Sequence, residues 1–189
     1  MPNRLIYLVG QPGAGKSTLM RLLTAGYTRL PYDPPEVPVA HDVLLDSVTG
    51  EIAGAEIGKR RELFSGTDAL PSSVIEKAIP WIETLPYRRV LGEGARLSNL
   101  RFLRAAADAG YAVTVALLDH PDAESWRKLQ ARQIGREQNI SLVKSRLAAA
   151  RNLAEQLTDT AGVTVLRGHP DDLYPQLTEV LCPPVQPRQ

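Results

Sequence analysis

Apolar residues in this chain fall into short unbroken runs and longer helical stripes, and the two kinds alternate. Leu5 to Val9 is a short apolar run that stops at Gly10, as a buried parallel strand requires. A helix is predicted from Lys16 to about Ala25, closed by Gly26. Residues 31–38 hold four prolines and read as an extended loop. Val37 to Leu45 and Glu51 to Ile57 then read as two strands joined as a hairpin through residues 46–50. Residues 58–71 are polar and irregular. Ser72 or Ser73 caps a helix whose apolar positions Val74, Ile75, Ala78, Ile79, Ile82 and Leu85 recur at helical spacing, with Pro80 expected to kink or shorten it. Arg89 to Leu91 forms a short strand leading into Gly92-Glu93-Gly94, and Ser98 opens a helix that stops at Gly110. Tyr111 to Leu118 is the clearest strand, ending at Asp119. Helices at about 121–134 and 141–158, a strand at Val163 to Leu166 and a helix near 171–181 complete the pattern, followed by a mobile tail at 183–189. Such alternation predicts an α/β protein with a mainly parallel sheet, in one domain over 1–182.

Composition narrows the class without naming a partner. The 189 residues are 43% apolar and 23% charged, with a formal charge of +1, an ordinary globular balance. The single cysteine, Cys182, excludes an internal disulfide and fits a reducing compartment. No signal peptide is visible, and the longest apolar stretch, around 113–118, is too short to span a membrane, so a cytoplasmic protein is expected. His41, His120 and His169 lie far apart in sequence without metal-ligand spacing, so no structural zinc site is expected.

The strongest chemical signal is Gly10-Gln11-Pro12-Gly13-Ala14-Gly15-Lys16-Ser17, which satisfies G-x-x-x-x-G-K-[ST]. A polyphosphate needs several backbone N–H groups converging on it, and the glycines permit both the turn and the close approach. The following helix adds its positive N-terminal end. Lys16 is expected to reach the β- and γ-phosphates and Ser17 to ligate Mg²⁺, with Thr18 beside them. No guanine-reading Asn-Lys-x-Asp motif is present, which argues against a GTPase; the loop itself is expected to take ATP or GTP.

A second signal lies after the best strand. Lys128, Arg132 and Arg136 are spaced four apart and share one face of a continuous helix, with Arg127 beside them. They form a candidate lid, over about 121–158, that closes on ATP and meets the charge of the transferring phosphoryl group. Arg146 and Arg151 are weaker candidates. Two acids end apolar strands. Glu93 is favoured as the Mg²⁺-linked acid, and Asp119 as the cap leading into the lid helix. Asp68, in a tight polar loop, is either the carboxylate that orients an acceptor hydroxyl or a helix cap. Asp42 and Asp46 are weaker, because Asp46 begins a turn.

The phosphate loop near the N-terminus and the strand ending at Asp119 before an arginine-bearing lid resemble the small P-loop kinases of the nucleotide- and shikimate-kinase kind. That resemblance implies a three-layer fold with a five-stranded, mainly parallel sheet, Mg-ATP as donor and a helical lid. Residues 64–70, 91–97 and 133–152 are similar, more narrowly, to phage-encoded P-loop kinases, among them those that phosphorylate 5-hydroxymethyluracil within DNA. Ala95 departs from that pattern, which often has an acid there. The narrower resemblance implies DNA carrying a modified pyrimidine as acceptor, met by Lys59-Arg60-Arg61, Arg88-Arg89 and the basic series from Lys128 to Arg151. It also implies extrusion of the base, with Tyr32, Phe64 and Trp81 available for stacking. The alternatives are a kinase for a free nucleotide or other small metabolite and, from another class, a nucleotide-binding regulatory module. The oligomeric state is left open.

Overall fold

The strand that leads into the phosphate loop, β1 (Asn3–Gly10), is paired on both sides, parallel to β5 (Arg89–Glu93) and to β6 (Tyr111–Leu118). That placement explains its composition, since a strand covered on both faces has no room for polar alternation. Residues 2–60, 66–135 and 139–181 are described by a computed structural model of the chain. β6 pairs in turn with β7 (Val163–Gly168), and β5 with β4 (Ile52–Ile57), all parallel. The antiparallel hairpin of β2 (Tyr27–Tyr32) and β3 (His41–Asp46) extends the β4 side. The sheet therefore has seven strands in the order β2-β3-β4-β5-β1-β6-β7.

Five parallel strands were expected, and β4-β5-β1-β6-β7 supplies them; the sheet is wider by the two strands of the hairpin. The expected hairpin of residues 37–57 is present as β3 and β4. The strand that the pattern did not reveal is β2. It overlaps the supposed loop through Pro31 and Tyr32, and most of its residues are exposed. As the edge of the sheet it needs neither an apolar face nor a hydrogen-bond donor at every residue, so proline is tolerated there.

Successive side chains of β1 point to opposite faces and so enter two cores. Leu5, Tyr7 and Val9 pack with α2 (Ile75–Glu83), α3 (Leu100–Asp108) and α5 (Ile140–Leu157). Ile6 and Leu8 pack with α1 (Lys16–Leu23) and α6 (Pro170–Leu181). α4 (Ala123–Ile134) follows β6. Pro80 lies inside α2 without ending it at once, because the helix runs on to Glu83. Asn99, not Ser98, caps α3, its side chain accepting from the Phe102 N–H at 2.9 Å.

Register decides where the site falls. Leu8 stands beside Glu93, Gly10 beside Leu118, and Leu118 beside Gly168. The carboxyl ends of the parallel strands thus bring the phosphate loop, Glu93, Asp119 and His169 to one edge of the sheet, where α/β proteins bind their ligands. No helix among the described residues is long and apolar enough to cross a membrane.

Candidate active site

The phosphate loop turns through three glycines with positive φ: Gly10 at 146°, Gly13 at 80° and Gly15 at 92°. Space forbids side chains here as well. A Cβ on Gly10 would lie 2.7 Å from the Leu118 carbonyl oxygen, and one on Gly13 2.7 Å from the Arg127 Cβ. Lys16 Nζ donates to the carbonyls of Gly10 at 3.1 Å and Gln11 at 2.8 Å, so the ammonium lies across the loop. Burial pushes its pKa below the ordinary value; the carboxylates of Glu93 and Asp68 oppose this, and the nearby Arg146 reinforces it. Ser17 and Thr18 are exposed at the start of α1.

Opposite the lysine stands Glu93, the last residue of β5 and only 3% exposed. Burial raises its pKa, the Ser17 hydroxyl and the Lys16 ammonium pull it partly back, and Glu56 and Asp68 add to the rise. A carboxyl whose folded pKa lies above its ordinary 4.5 destabilises the fold once pH exceeds that value, because the unfolded chain ionises more readily. Glu93→Gln is therefore expected to melt at a higher temperature than the native chain without nucleotide. The gain is absent at pH below about 4.5 and grows with rising pH, which melting curves at several pH values would show; a gain independent of pH would refute the account.

Asp68 is held against this acid by a buried lock. Thr67 Oγ1 donates to the Glu93 carbonyl at 2.8 Å and lies 2.9 Å from the Tyr7 hydroxyl, which donates to the Gly94 carbonyl at 3.0 Å. Gly66 and Gly94 are required by this contact: a Cβ on Gly66 would meet the Glu93 side chain at 2.7 Å, and one on Gly94 the Thr67 hydroxyl at 2.8 Å. Asp68 is consequently exposed beside the loop after β5, where its Oδ1 accepts from the Ala95 N–H at 2.7 Å. It does not cap the helix after Ser72, whose N-cap position is Pro71.

α4 rests directly on the phosphate loop. Gly13 meets Arg127, and a Cβ on Gly15 would lie 3.1 Å from both Trp126 and Pro170. Gly13→Ala would force a strained φ and push α4 away, costing about 1–3 kcal/mol. It is expected to lower the melting temperature and weaken ATP binding together; an unchanged ATP affinity would show that α4 and the loop act separately.

A family model described as P-loop Nucleotide Kinase3 matches residues 1–182. The chain belongs to this P-loop nucleotide kinase family. No curated protein matches it. Nucleotide binding and kinase activity follow from that membership.

Within this nucleotide kinase, the residues singled out by sequence divide into three groups. Gly10 to Thr18, Glu93, Asp68 and Arg127 are brought to one edge of the sheet. Arg127 is 6% exposed and holds Glu124 at 2.8 and 2.7 Å, while Lys128, exposed, also faces Glu124. Arg132 is exposed near the end of α4, and Arg136 lies outside the described residues. A second group is engaged elsewhere. Asp119 does not cap α4; it accepts from Arg151 Nε and Nη2, both at 2.8 Å, and from Arg167. Arg151 is thereby committed to the scaffold. Asp42 pairs with Arg29 at 3.0 Å, and Asp46 closes its turn by accepting from the N–H groups of Val48 and Thr49. Arg88 and Arg89 sit at the opposite end of β5 from Glu93, beside Arg4 and Pro2. The third group was underrated or missed. Arg146 comes near enough to Lys16 to act on it, and Tyr7, Thr67 and Trp126 shape the site through contacts between residues distant in sequence.

Proposed function

We propose that this nucleotide kinase transfers the γ-phosphoryl group of ATP to a hydroxyl, with Lys16, Ser17 and Glu93 on the phosphate side and Asp68 on the acceptor side. The observation that carries the reading is the convergence of the Lys16 ammonium, the Ser17 hydroxyl and two carboxylates at one edge of the sheet. Hydroxyl and carboxylate oxygens are the donors Mg²⁺ prefers, so Ser17 and Glu93 fit as the residues that hold it. When bound, the ion neutralises charge on the β- and γ-phosphates. The backbone N–H groups of the loop bind the phosphates, and Lys16 leaves its carbonyl partners to reach them. A cleft of about 460 Å³ between Thr18, Leu22, Trp126, Leu129 and Pro170 adjoins the lysine. Its partly exposed Trp126, Leu22 and Leu129 offer apolar surface to the base of the nucleotide. Arg127, Lys128, Arg132 and Arg136 act as the lid residues in this reading.

Asp68 orients the acceptor hydroxyl and accepts its proton as the bond to phosphorus forms. The acceptor we favour is the hydroxymethyl group of 5-hydroxymethyluracil in phage DNA. The similarity of residues 64–70 and 91–97 to the kinases of that chemistry supports it. So does a bridge that pairs Lys59, the sequence neighbour of the exposed Arg60, with Gly66 of the acceptor loop. Arg88 and Arg89 drop out as phosphate contacts near the site because of their place on β5. The family's description favours a second acceptor, a free nucleotide. Radiolabelled ATP offered with hydroxymethyluracil-containing DNA, with free nucleotides and with no acceptor decides among them. Label in DNA is the expected result. Label only in nucleotide transfers the assignment to the second reading, and release of phosphate alone refutes both.

A further inference from the structure

Histidines that are 49 residues apart in sequence meet behind the phosphate loop. The rings of His120 and His169 lie 4.6 Å apart in an edge arrangement, with Trp126 against both at 4.8 and 5.1 Å. His120 follows β6 and His169 follows β7, so the parallel register of these two strands brings them together. Asp122, two residues beyond His120, completes a group whose ligand atoms all lie within 4.8 Å of one another.

His120 Nε2 lies 3.0 Å from the Ala14 carbonyl, which only accepts, so Nε2 carries the proton. Nδ1 is then a lone pair, buried and without a partner among the described residues. A buried acceptor left unpaired destabilises the fold, and a backbone carbonyl fixing the other nitrogen is the usual outer-shell arrangement of a metal-bound histidine. His169 is flanked by acids on both sides. Its Nε2 is 3.6 Å from Asp122 Oδ2, and its Nδ1 is 3.4 Å from Asp171 Oδ2 while accepting from the Asp171 N–H.

We propose that His120 Nδ1, His169 Nε2 and the Asp122 carboxylate form a site for a divalent transition metal ion, Zn²⁺ above all, separate from the Mg²⁺ position of the phosphate loop. Two imidazoles and one carboxylate suit Zn²⁺ rather than Mg²⁺. A tetrahedral site with bonds of about 2.0–2.1 Å has ligand–ligand edges of roughly 3.3 Å. The His169–Asp122 edge is close to that already, and Asp122, 57% exposed at its side chain, is free to swing toward His120. When the metal takes Nε2 of His169, the ring proton moves to Nδ1, which gives up the bond it accepts from the Asp171 N–H and donates to the Asp171 carboxylate instead. The bound ion ties the start of α4 to the start of α6, and through Ala14 to the phosphate loop. The proposal does not depend on the acceptor or on the phosphotransfer reading.

Equilibrium dialysis with Zn²⁺, in excess Mg²⁺ and on a Cys182→Ser background that removes the lone thiol, tests it. About one equivalent of zinc is expected to bind. Affinity should fall in Asp122→Asn and His169→Gln by at least the roughly 10–100-fold that loss of an outer-shell partner costs, while Glu93→Gln leaves it unchanged. Co²⁺ substituted for zinc should give a visible absorption band that the two variants lack, and circular dichroism checks that they remain folded. No stoichiometric zinc, equal binding by the folded variants, or loss of zinc in Glu93→Gln overturns the proposal.

Discussion

Lys16→Ala is expected to abolish phosphoryl transfer in a protein that still folds. Among the described residues the ammonium meets the carbonyls of Gly10 and Gln11 at hydrogen-bond distance, whereas the loop's shape is set by Gly10, Gly13 and Gly15 and by the packing of Arg127, Trp126 and Pro170. Removing it relieves a charge that burial disfavours, so stability should hold or rise. The loss in kcat should be at least the 10²–10³-fold typical of deleting one donor to a developing oxyanion. Melting curves and a transfer assay on the same preparation check it. Full activity in a folded variant would remove Lys16 from the reaction.

Asp68→Asn and Glu93→Gln should fail in different ways. Asparagine keeps an oxygen for the Ala95 N–H, which Asp68 now meets at 2.7 Å, so the loop should stay in place. It cannot accept the acceptor's proton, and transfer should fall by about 10²–10⁴-fold with ATP binding retained. Glu93 faces Ser17 and Lys16; its amide variant should need more Mg²⁺, and background ATP hydrolysis should suffer as well. One variant is thus impaired only when acceptor is present, the other with or without it. Normal transfer by Asp68→Asn would reduce this residue to a support for the loop after β5. An unchanged Mg²⁺ requirement in Glu93→Gln would separate that acid from the ion.

Local patterns carried what depends on neighbours in the chain. The apolar runs of β1 and β6 marked strands buried on both faces, and the helical stripes placed α4, α5 and α6 to within a few residues. The phosphate loop was legible because its function resides in consecutive residues: glycines for the turn, a lysine and a serine at the helix start. Edge strand β2 was not, since an edge is defined by the absence of a neighbour and leaves little apolar trace. Tertiary structure decided the partners. Asp119 ends an apolar strand as Glu93 does, yet the fold delivers Arg151 and Arg167 to one and Lys16 and Ser17 to the other. Asp68 is aimed by Tyr7 and Thr67, residues 60 positions apart. His120 and His169, separated beyond any ligand spacing, touch because β6 and β7 run parallel and end together. A carboxylate or an imidazole has its chemistry set by what surrounds it in space, and a parallel sheet assembles those surroundings from segments that the sequence keeps far apart.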